Sequence, residues 1–456
     1  MDVNLTYKLS LKDRTGSIRK ILYQPHTSKA VWEDSGFPLS LGFAGMDYAP
    51  PDAMKFKSVD PHDRSKSTNI RTLKIQLGLN CNLACSYCSQ AHQPKETQGN
   101  MKDVREFLGK LPLFYDGGDK GDGSGTVVEF WGGEPFAYWK TLKHLVSVMR
   151  MAYPKAEFQI ITNGTLFTDE IIEWIVQMGI RINISHDGPV YTNQRDARDP
   201  LMNSDQRAMI RKLYDALWPS RRIGFGAVLT RNNSSLKAVK DYICEKLEID
   251  PNEIHVTTEE IILPYDQGGL DVSPQNDDEQ RTVMETTYWE AVTAHSMSSG
   301  SVRGKVEDFF RSLAQQRPST ALGQKCGMDK KDTLAVDLKG NALTCHNTSA
   351  DTRHKIGHID EFEKIELHTL NHWQTDRVEC VQCPVVQLCR GACFFIEGDL
   401  WTKACDNSFH YNLGLLGAAL YYLTRRVLVE IEGPVMRRSD LPKVVSVITA
   451  PEKVNA

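Results

Sequence analysis

Cys81-Asn-Leu-Ala-Cys85-Ser-Tyr-Cys88 follows an apolar-rich run, Leu73 to Leu77, with Gly78-Leu-Asn80 between the two. Three thiolates at C-x3-C-x2-C spacing can hold three irons of a cubane [4Fe–4S] cluster and leave the fourth iron open to another ligand. The run before them reads as a strand, so the cysteines fall at a strand's carboxyl end, where parallel α/β folds gather active-site groups.

Working outward, short β-rich runs alternate with longer helical patterns from residue 73 to about 300. The strand pattern fits Leu73–Leu77, Thr126–Trp131, Glu157–Ile161, Arg181–Ser185, Ile223–Thr230 and Ile254–Ile262. Helical spacing fits Trp139–Tyr153, Asp169–Met178, Asp205–Leu217 and Ser235–Leu247. Such alternation predicts an α/β fold with parallel strands and right-handed crossovers, as a doubly wound sheet or an open barrel.

Polar groups recur at the strand ends. The second strand runs into Trp131-Gly132-Gly133-Glu134-Pro135. Paired glycines let backbone approach a ligand closely, and the carboxylate can accept hydrogen bonds from an ammonium group. The third strand ends at Thr162-Asn163-Gly164. The fourth ends at Ser185-His186-Asp187-Gly188-Pro189, whose hydroxyl and carboxylate groups suit a ribose. Arg195 and Arg198 follow, and either can reach a ligand carboxylate.

The chain has 456 residues, 41% of them hydrophobic, enough for a large core and, by length, about two to three domains. Its net charge of −4 gives no general pull toward nucleic acid or an anionic surface, and no basic patch interleaved with aromatics is visible. The polar start MDVNLTYKLSLKDR shows no secretory signal, and the apolar stretch Leu413–Leu423 is too short to span a bilayer. These features predict a soluble, cytoplasmic protein.

Ten of eleven cysteines fall into two groups; Cys244 stands alone and reads as a buried helix residue. The later group runs Cys326-x13-Gly340-x4-Cys345, then after a long gap Cys380-x2-Cys383-x5-Cys389-x3-Cys393-x11-Cys405. Close spacing in a reducing compartment argues for metal over disulfides. Zinc is an alternative, although seven thiolates do not divide into two complete four-cysteine zinc sites. His354, His358, His368 and His372 are irregularly spaced in a polar segment and read as surface residues.

The cysteine triplet, the GGEP turn, the Thr-Asn-Gly turn and the Ser-x-Asp-Gly-Pro turn together resemble the radical S-adenosylmethionine (SAM) superfamily over roughly residues 73 to 300. The seven later cysteines resemble the SPASM domain that extends peptide-modifying members of that superfamily. The resemblance implies a partial (β/α)6 TIM-like barrel followed by a small cysteine-rich iron–sulfur domain. The implied division is 1–72 as an irregular extension with a short strand, 73–300 as the barrel, 301–410 as the SPASM domain with its linking segment, and 411–456 as a C-terminal helix (Leu413–Glu430) and tail.

Residue by residue, the resemblance assigns Cys81, Cys85 and Cys88 to the SAM-binding [4Fe–4S] cluster. Glu134, with the backbone of Gly132 and Gly133, matches the SAM amino-group site. Tyr87 matches the adenine neighbour, Asn163 the second turn of the cofactor site, and Ser185 the ribose or carboxylate contact. Arg195 or Arg198 is the basic partner. Cys380, Cys383, Cys389 and Cys405 are implied to hold one auxiliary cluster, and Cys326, Cys345 and Cys393 a second. The second lacks one cysteine, and Asp329, Asp332 or a substrate group can fill the gap.

The implied activity is reductive cleavage of SAM and hydrogen abstraction from a ribosomally made precursor peptide, ending in a crosslink, epimerisation or backbone rearrangement. A flavodoxin- or ferredoxin-type reductant is implied. Residues 1–72 lack the helical pattern of a leader-binding module, which points to a separate leader-binding protein or the core itself. Alternatives are a formylglycine-forming anaerobic sulfatase maturase, in which an Asp stands where this chain has His346, and a radical SAM enzyme of RNA.

Overall fold

Along the first strands, one row of side chains is apolar and fully enclosed: Leu73 and Ile75, Val128 and Phe130, Phe158 and Ile160, Ile182 and Ile184. A strand buried on its faces and followed by an amphipathic helix folds back to lie parallel to its predecessor. That unit recurs through the centre of the protein. The structure, a computed structural model, describes residues 5–39, 56–94, 99–264, 268–293, 296–434 and 444–446.

In chain order, the strands β1 (Tyr7–Lys12), β2 (Ile18–Gln24) and β3 (Lys29–Trp32) come first. Then follow β4 (Thr72–Gln76), α1 (Met101–Lys110), β5 (Val127–Trp131), α2 (Trp139–Ala152), β6 (Glu157–Thr162), α3 (Asp169–Met178) and β7 (Arg181–Ser185). The short α4 (Tyr191–Arg195) precedes α5 (Ser204–Leu217), β8 (Ile223–Leu229), α6 (Leu236–Leu247), β9 (Val256–Ile261), α7 (Asp277–Val292) and α8 (Gly300–Gln315). The remainder comprises β10 (Thr333–Asp337), β11 (Asn341–Leu343), β12 (Lys355–His358), α9 (Val378–Val381), α10 (Val386–Cys389), α11 (Gly398–Thr424), β13 (Val427–Glu432) and β14 (Val444–Ser446).

The main sheet has nine strands in the order β12-β11-β10-β4-β5-β6-β7-β8-β9. From β4 to β9 the six strands are parallel and in sequence order. A doubly wound sheet reverses direction at a switch point; an unreversed order winds one way only. Of the two architectures open from sequence, the partial barrel is therefore the one formed.

Four other expectations need correction. The expected irregular extension holds a β1–β2–β3 meander, and β1 pairs antiparallel with β13, making a separate five-stranded sheet in the order β14-β13-β1-β2-β3. The cysteine-rich segment is not set apart from the barrel: β10 pairs parallel with β4 over Thr333–Asp337 and carries β11 and β12 with it. The expected helix Leu413–Glu430 begins earlier and stops sooner. It is α11, ended by Arg425 in left-handed backbone (φ 57°), after which the chain turns into β13. Finally, His354 and His372 are buried against Phe395 and Trp373 rather than at the surface.

Cys244 is buried on α6, as expected. The C-terminal tail beyond Pro434 lies outside the described residues except for β14. Among the described residues no helix is long and apolar enough to cross a membrane.

Candidate functional site

The loop that follows β4 carries Cys81, Cys85 and Cys88 across the carboxyl ends of the parallel strands. It is held there mainly by backbone. Gly133 N–H donates to the Gly78 carbonyl at 3.0 Å and Glu134 N–H to the Asn80 carbonyl at 3.0 Å. A Cβ on Gly133 would stand 2.3 Å from the Asn80 oxygen, and one on Gly132 would stand 2.8 Å from the Gly78 oxygen. The paired glycines are thus required first by the entry to the cysteine loop, a contact invisible in the sequence. Tyr138 adds a hydroxyl that accepts from Asn80 N–H at 2.8 Å.

Four further hydrogen bonds fix the loop. Asn163 Nδ2 donates to Asn82 Oδ1 at 2.9 Å, and Asn82 Nδ2 donates to Thr165 Oγ1 at 2.8 Å. Ser86 N–H donates to the Gln194 carbonyl at 2.8 Å. Gln90 Nε2 reaches the His346 carbonyl at 3.3 Å, joining the loop to the segment after β11.

The loop opens onto a cavity of about 470 Å³, a size common for small-molecule sites (roughly 300–1,000 Å³). Cys81, Cys85 and Cys88 line it, and so do Tyr87, Gly132, Gly133, Glu134, Asn163, Ser185 and Arg195. Every residue singled out for the cofactor is there except Arg198, which is exposed on the turn beyond α4. Sequence left the two arginines equal; Asp196, in left-handed backbone (φ 47°), separates them and turns the chain outward. Sequence reasoning missed Asn347 and the apolar Val228 and Ile262, which also line the cavity.

Charge in the cavity wall is internally compensated. Arg195, 4% exposed, makes a two-pronged ion pair with the fully enclosed Asp187: Nε to Oδ2 at 2.8 Å and Nη2 to Oδ1 at 3.1 Å. Tyr87 donates its hydroxyl to Asp187 Oδ2 at 2.8 Å, and Val228 N–H donates to Oδ1 at 3.1 Å. Asp187 is therefore committed to Arg195 and Tyr87 rather than offered to a ribose, which leaves Ser185 as the polar group of that turn on the cavity. Burial pushes the Cys85 thiol up to about 11, although Arg195 opposes the shift.

Glu134 is almost wholly buried and already accepts three hydrogen bonds: from Phe136 N–H (3.0 Å), Thr162 Oγ1 (2.8 Å) and Asn163 N–H (2.7 Å). Burial raises its carboxyl above the usual range against those three bonds. A carboxylate offers about four acceptor positions, so one remains for a ligand donor.

Trp131, at the end of β5, closes one side of the cavity and stacks on His346, ring centroids 3.7 Å apart at 31°. His346 is buried, and burial followed by the charge of Lys74 lowers its imidazole well below the ordinary value. Its Nδ1 lies 3.6 Å from Cys345 Sγ.

The seven later cysteines sort into two sets. Cys380, Cys383, Cys389 and Cys405 line one small cavity whose other walls include Val385, Val386, Trp401 and Phe409. Burial raises all four thiols, and each is raised further by other thiols of the set or, for Cys389, by Glu260. Cys326, Cys345 and Cys393 are neighbours of one another: Cys393 is raised by burial and then by Cys326 and Cys345, while Cys345 is pushed up to about 12 by burial and Cys326. Cys326 presents part of its surface to solvent, yet burial of its thiol, with Asp329 and Glu259 beside it, pushes it up to about 11.

Among the described residues no three Cys, His, Asp or Glu converge tightly enough for a single metal ion. Four thiols arranged around an apolar void fit a polynuclear iron–sulfur group, whose irons fill the space between ligands. Of the two aspartates near the three-thiol set, Asp329 has Oδ2 engaged by Gln324 N–H at 2.8 Å and Oδ1 buried without a partner.

Residues 75–241 match the family model described as Radical SAM superfamily. This chain carries a radical SAM domain. The domain makes the protein an enzyme of radical, oxidoreductase-type chemistry and implies a [4Fe–4S] cluster and SAM. Over 405 residues the chain is 24% identical to the radical SAM cyclopropyl synthase TigE of Paramaledivibacter caminithermalis, covering 81% of this chain and 76% of that protein. It is 25% identical to an uncharacterised protein of Methanocaldococcus jannaschii, covering 65% of this chain and 92% of the relative. Among solved structures, native anSMEcpe with bound AdoMet and Cp18Cys peptide matches with a TM-score of 0.51 at 18% identity, covering 77% of this chain and 99% of that one. This last likeness is one of fold. The match to the radical SAM domain ends before the seven later cysteines.

Proposed function

We propose that this chain is a peptide maturase that takes a hydrogen atom from a residue of a ribosomally made precursor peptide. The product is a crosslink, an epimer or a rearranged backbone; the similarity to a cyclopropyl synthase favours bond formation at carbon. A cluster and SAM held there would supply the one-electron reductive chemistry that hydrogen abstraction needs. One observation carries the reading: the three cysteines and Tyr87, Gly132, Gly133, Glu134, Asn163, Ser185 and Arg195 all line a single cavity.

In this reading Cys81, Cys85 and Cys88 are the ligands of the SAM-binding cluster. Glu134 would offer its remaining acceptor position to the SAM amino group, with the strand-end backbone beside it. Arg195, its guanidinium held by Asp187, would meet the SAM carboxylate, and Tyr87, its hydroxyl anchored on the same Asp187, would meet the adenine. Ser185 would meet the ribose or carboxylate. Trp131 and His346 close the side toward the later cysteines, keeping water from the substrate carbon.

Cys380, Cys383, Cys389 and Cys405 would hold one auxiliary [4Fe–4S] cluster. Cys326, Cys345 and Cys393 would hold the other, with the unpartnered Oδ1 of Asp329 as the protein's own fourth ligand. These clusters suit acceptance of the electron left after hydrogen abstraction. Leader recognition would fall to a separate partner protein or to the core itself. A flavodoxin- or ferredoxin-type protein is the expected reductant.

The test is anaerobic reconstitution with iron and sulfide counts, then reduction with SAM and peptides encoded nearby. About twelve irons per chain, 5′-deoxyadenosine, and a mass change in one peptide are expected. SAM cleavage with no peptide altered, but a modified RNA, would replace this reading.

A further inference from the structure

Arg377 stands between the two later cysteine sets. Its carbonyl accepts the Cys380 N–H at 3.0 Å, at the start of α9. Its Nη2 donates to the Cys393 carbonyl at 3.0 Å and the Ile396 carbonyl at 2.8 Å. The guanidinium carbon lies 3.3 Å from the centroid of the Trp401 ring, and Trp401 lines the cavity shared by Cys380, Cys383, Cys389 and Cys405. One side chain thus touches the backbone of one set and a wall of the other.

The residue is 3% exposed, and its Nε and Nη1 are buried with no hydrogen-bond partner. Burial lowers the guanidinium below its ordinary value, and the thiols of Cys380, Cys393 and Cys405, with Glu379, oppose that shift. A structural brace explains Nη2 alone. Buried N–H groups without acceptors are costly and rare, and thiolate and sulfide sulfurs are the acceptors that a loaded pair of centres would bring to this spot. Hydrogen bonds to cluster sulfurs and a nearby fixed cation favour the reduced form, which carries one more negative charge.

We propose that Arg377 is a positioning residue of the auxiliary iron–sulfur centres: its Nε–H and Nη1–H groups donate to sulfur at the boundary between the two cysteine sets, and its charge raises the reduction potential of the centre bound by Cys380, Cys383, Cys389 and Cys405. The inference rests on the auxiliary-cluster reading above. Arg377 is then the group that keeps this centre able to accept an electron.

The experiment is an EPR-monitored redox titration of anaerobically reconstituted holoenzyme, wild type against Arg377→Lys and Arg377→Gln, with iron counted in each. Lysine keeps the charge and the stem but loses the fixed fork, so the midpoint falls. Glutamine loses both, and the midpoint falls by the equivalent of at least about tenfold in electron affinity, 59 mV for one electron. Unmoved or raised midpoints at full iron content overturn the proposal. So does loss of iron in both variants, or loss in Arg377→Gln with a wild-type midpoint in Arg377→Lys, since Arg377 is then a brace only. A wild-type protein holding about four irons per chain fails the auxiliary-cluster reading itself, a separate result.

Discussion

The indole of Trp131 and the imidazole of His346 stack with centroids 3.7 Å apart, although 215 residues separate them along the chain. Trp131 belongs to the strand end that walls the cavity; His346 directly follows Cys345. This pair is the seam between the cavity lined by Cys81, Cys85 and Cys88 and the three-thiol set. Replacing Trp131 by alanine opens that seam to water. The expected result is a several-fold rise in 5′-deoxyadenosine formed per peptide modified, measured by mass spectrometry, with iron content unchanged.

Gly133 allows no side chain, because a Cβ there would sit 2.3 Å from the Asn80 oxygen and 2.4 Å from its carbonyl carbon. Gly133→Ala must displace the backbone that enters the cysteine loop, at a cost of about 1–3 kcal/mol. SAM affinity, read by equilibrium dialysis of the reconstituted protein, should fall about tenfold or more, since 1.4 kcal/mol is a factor of ten. Wild-type affinity in this variant would show that the loop does not depend on the turn.

Asp187 neutralises Arg195 in a site where neither side chain is more than 5% exposed. Asp187→Asn leaves the guanidinium buried and uncompensated, which typically costs about 3–5 kcal/mol. Denaturant unfolding should show that loss, and SAM binding should weaken with it. Arg198→Ala, at an exposed position, should change neither.

Asp308 accepts from Arg317 through both oxygens at 2.9 Å and also pairs with Arg390. Burial alone would raise its carboxyl, but Arg317 and Arg390 outweigh that and hold it below the ordinary carboxylate range. A depressed native value means the stabilisation is present above the unfolded pKa, about 3.9, and is lost as pH falls through the lower native one. Urea unfolding should therefore find Asp308→Asn less stable than wild type by about 2 kcal/mol near neutral pH. The gap should close below about pH 4.

Much of the barrel was legible because its signals are local. The run Arg181–Ser185 and the helix Asp169–Met178 need only the alternation or amphipathic spacing of their own residues, and both form over those bounds. What escaped depends on partners far along the chain. β10 has all five residues buried, so no alternation marks it, and the neighbour that makes it a strand is β4. The GGEP glycines line the cavity and also make room for Gly78–Asn80, a second demand that no local pattern signals. Asp187 looked like a ligand contact because its partner Arg195 lies eight residues further on, and only folding brings the guanidinium back to it. The seven later cysteines stood out in the sequence as a group, and their division into two sets came from the SPASM resemblance; Arg377 was not readable, since one arginine among many carries no pattern.

The pairing of β1 with β13 also dictates an order of events during synthesis. The β1–β2 hairpin leaves the ribosome with one edge of its ladder bare, and the strand that covers it, Val427–Glu432, is translated last among the strands whose side chains are described. At about 5–20 residues per second, that edge waits on the order of 20–80 s. Nascent chains are thus exposed to strand-to-strand association throughout elongation, and a chaperone that shields the first 30 or so residues, about the length of the meander, would act during translation rather than after it.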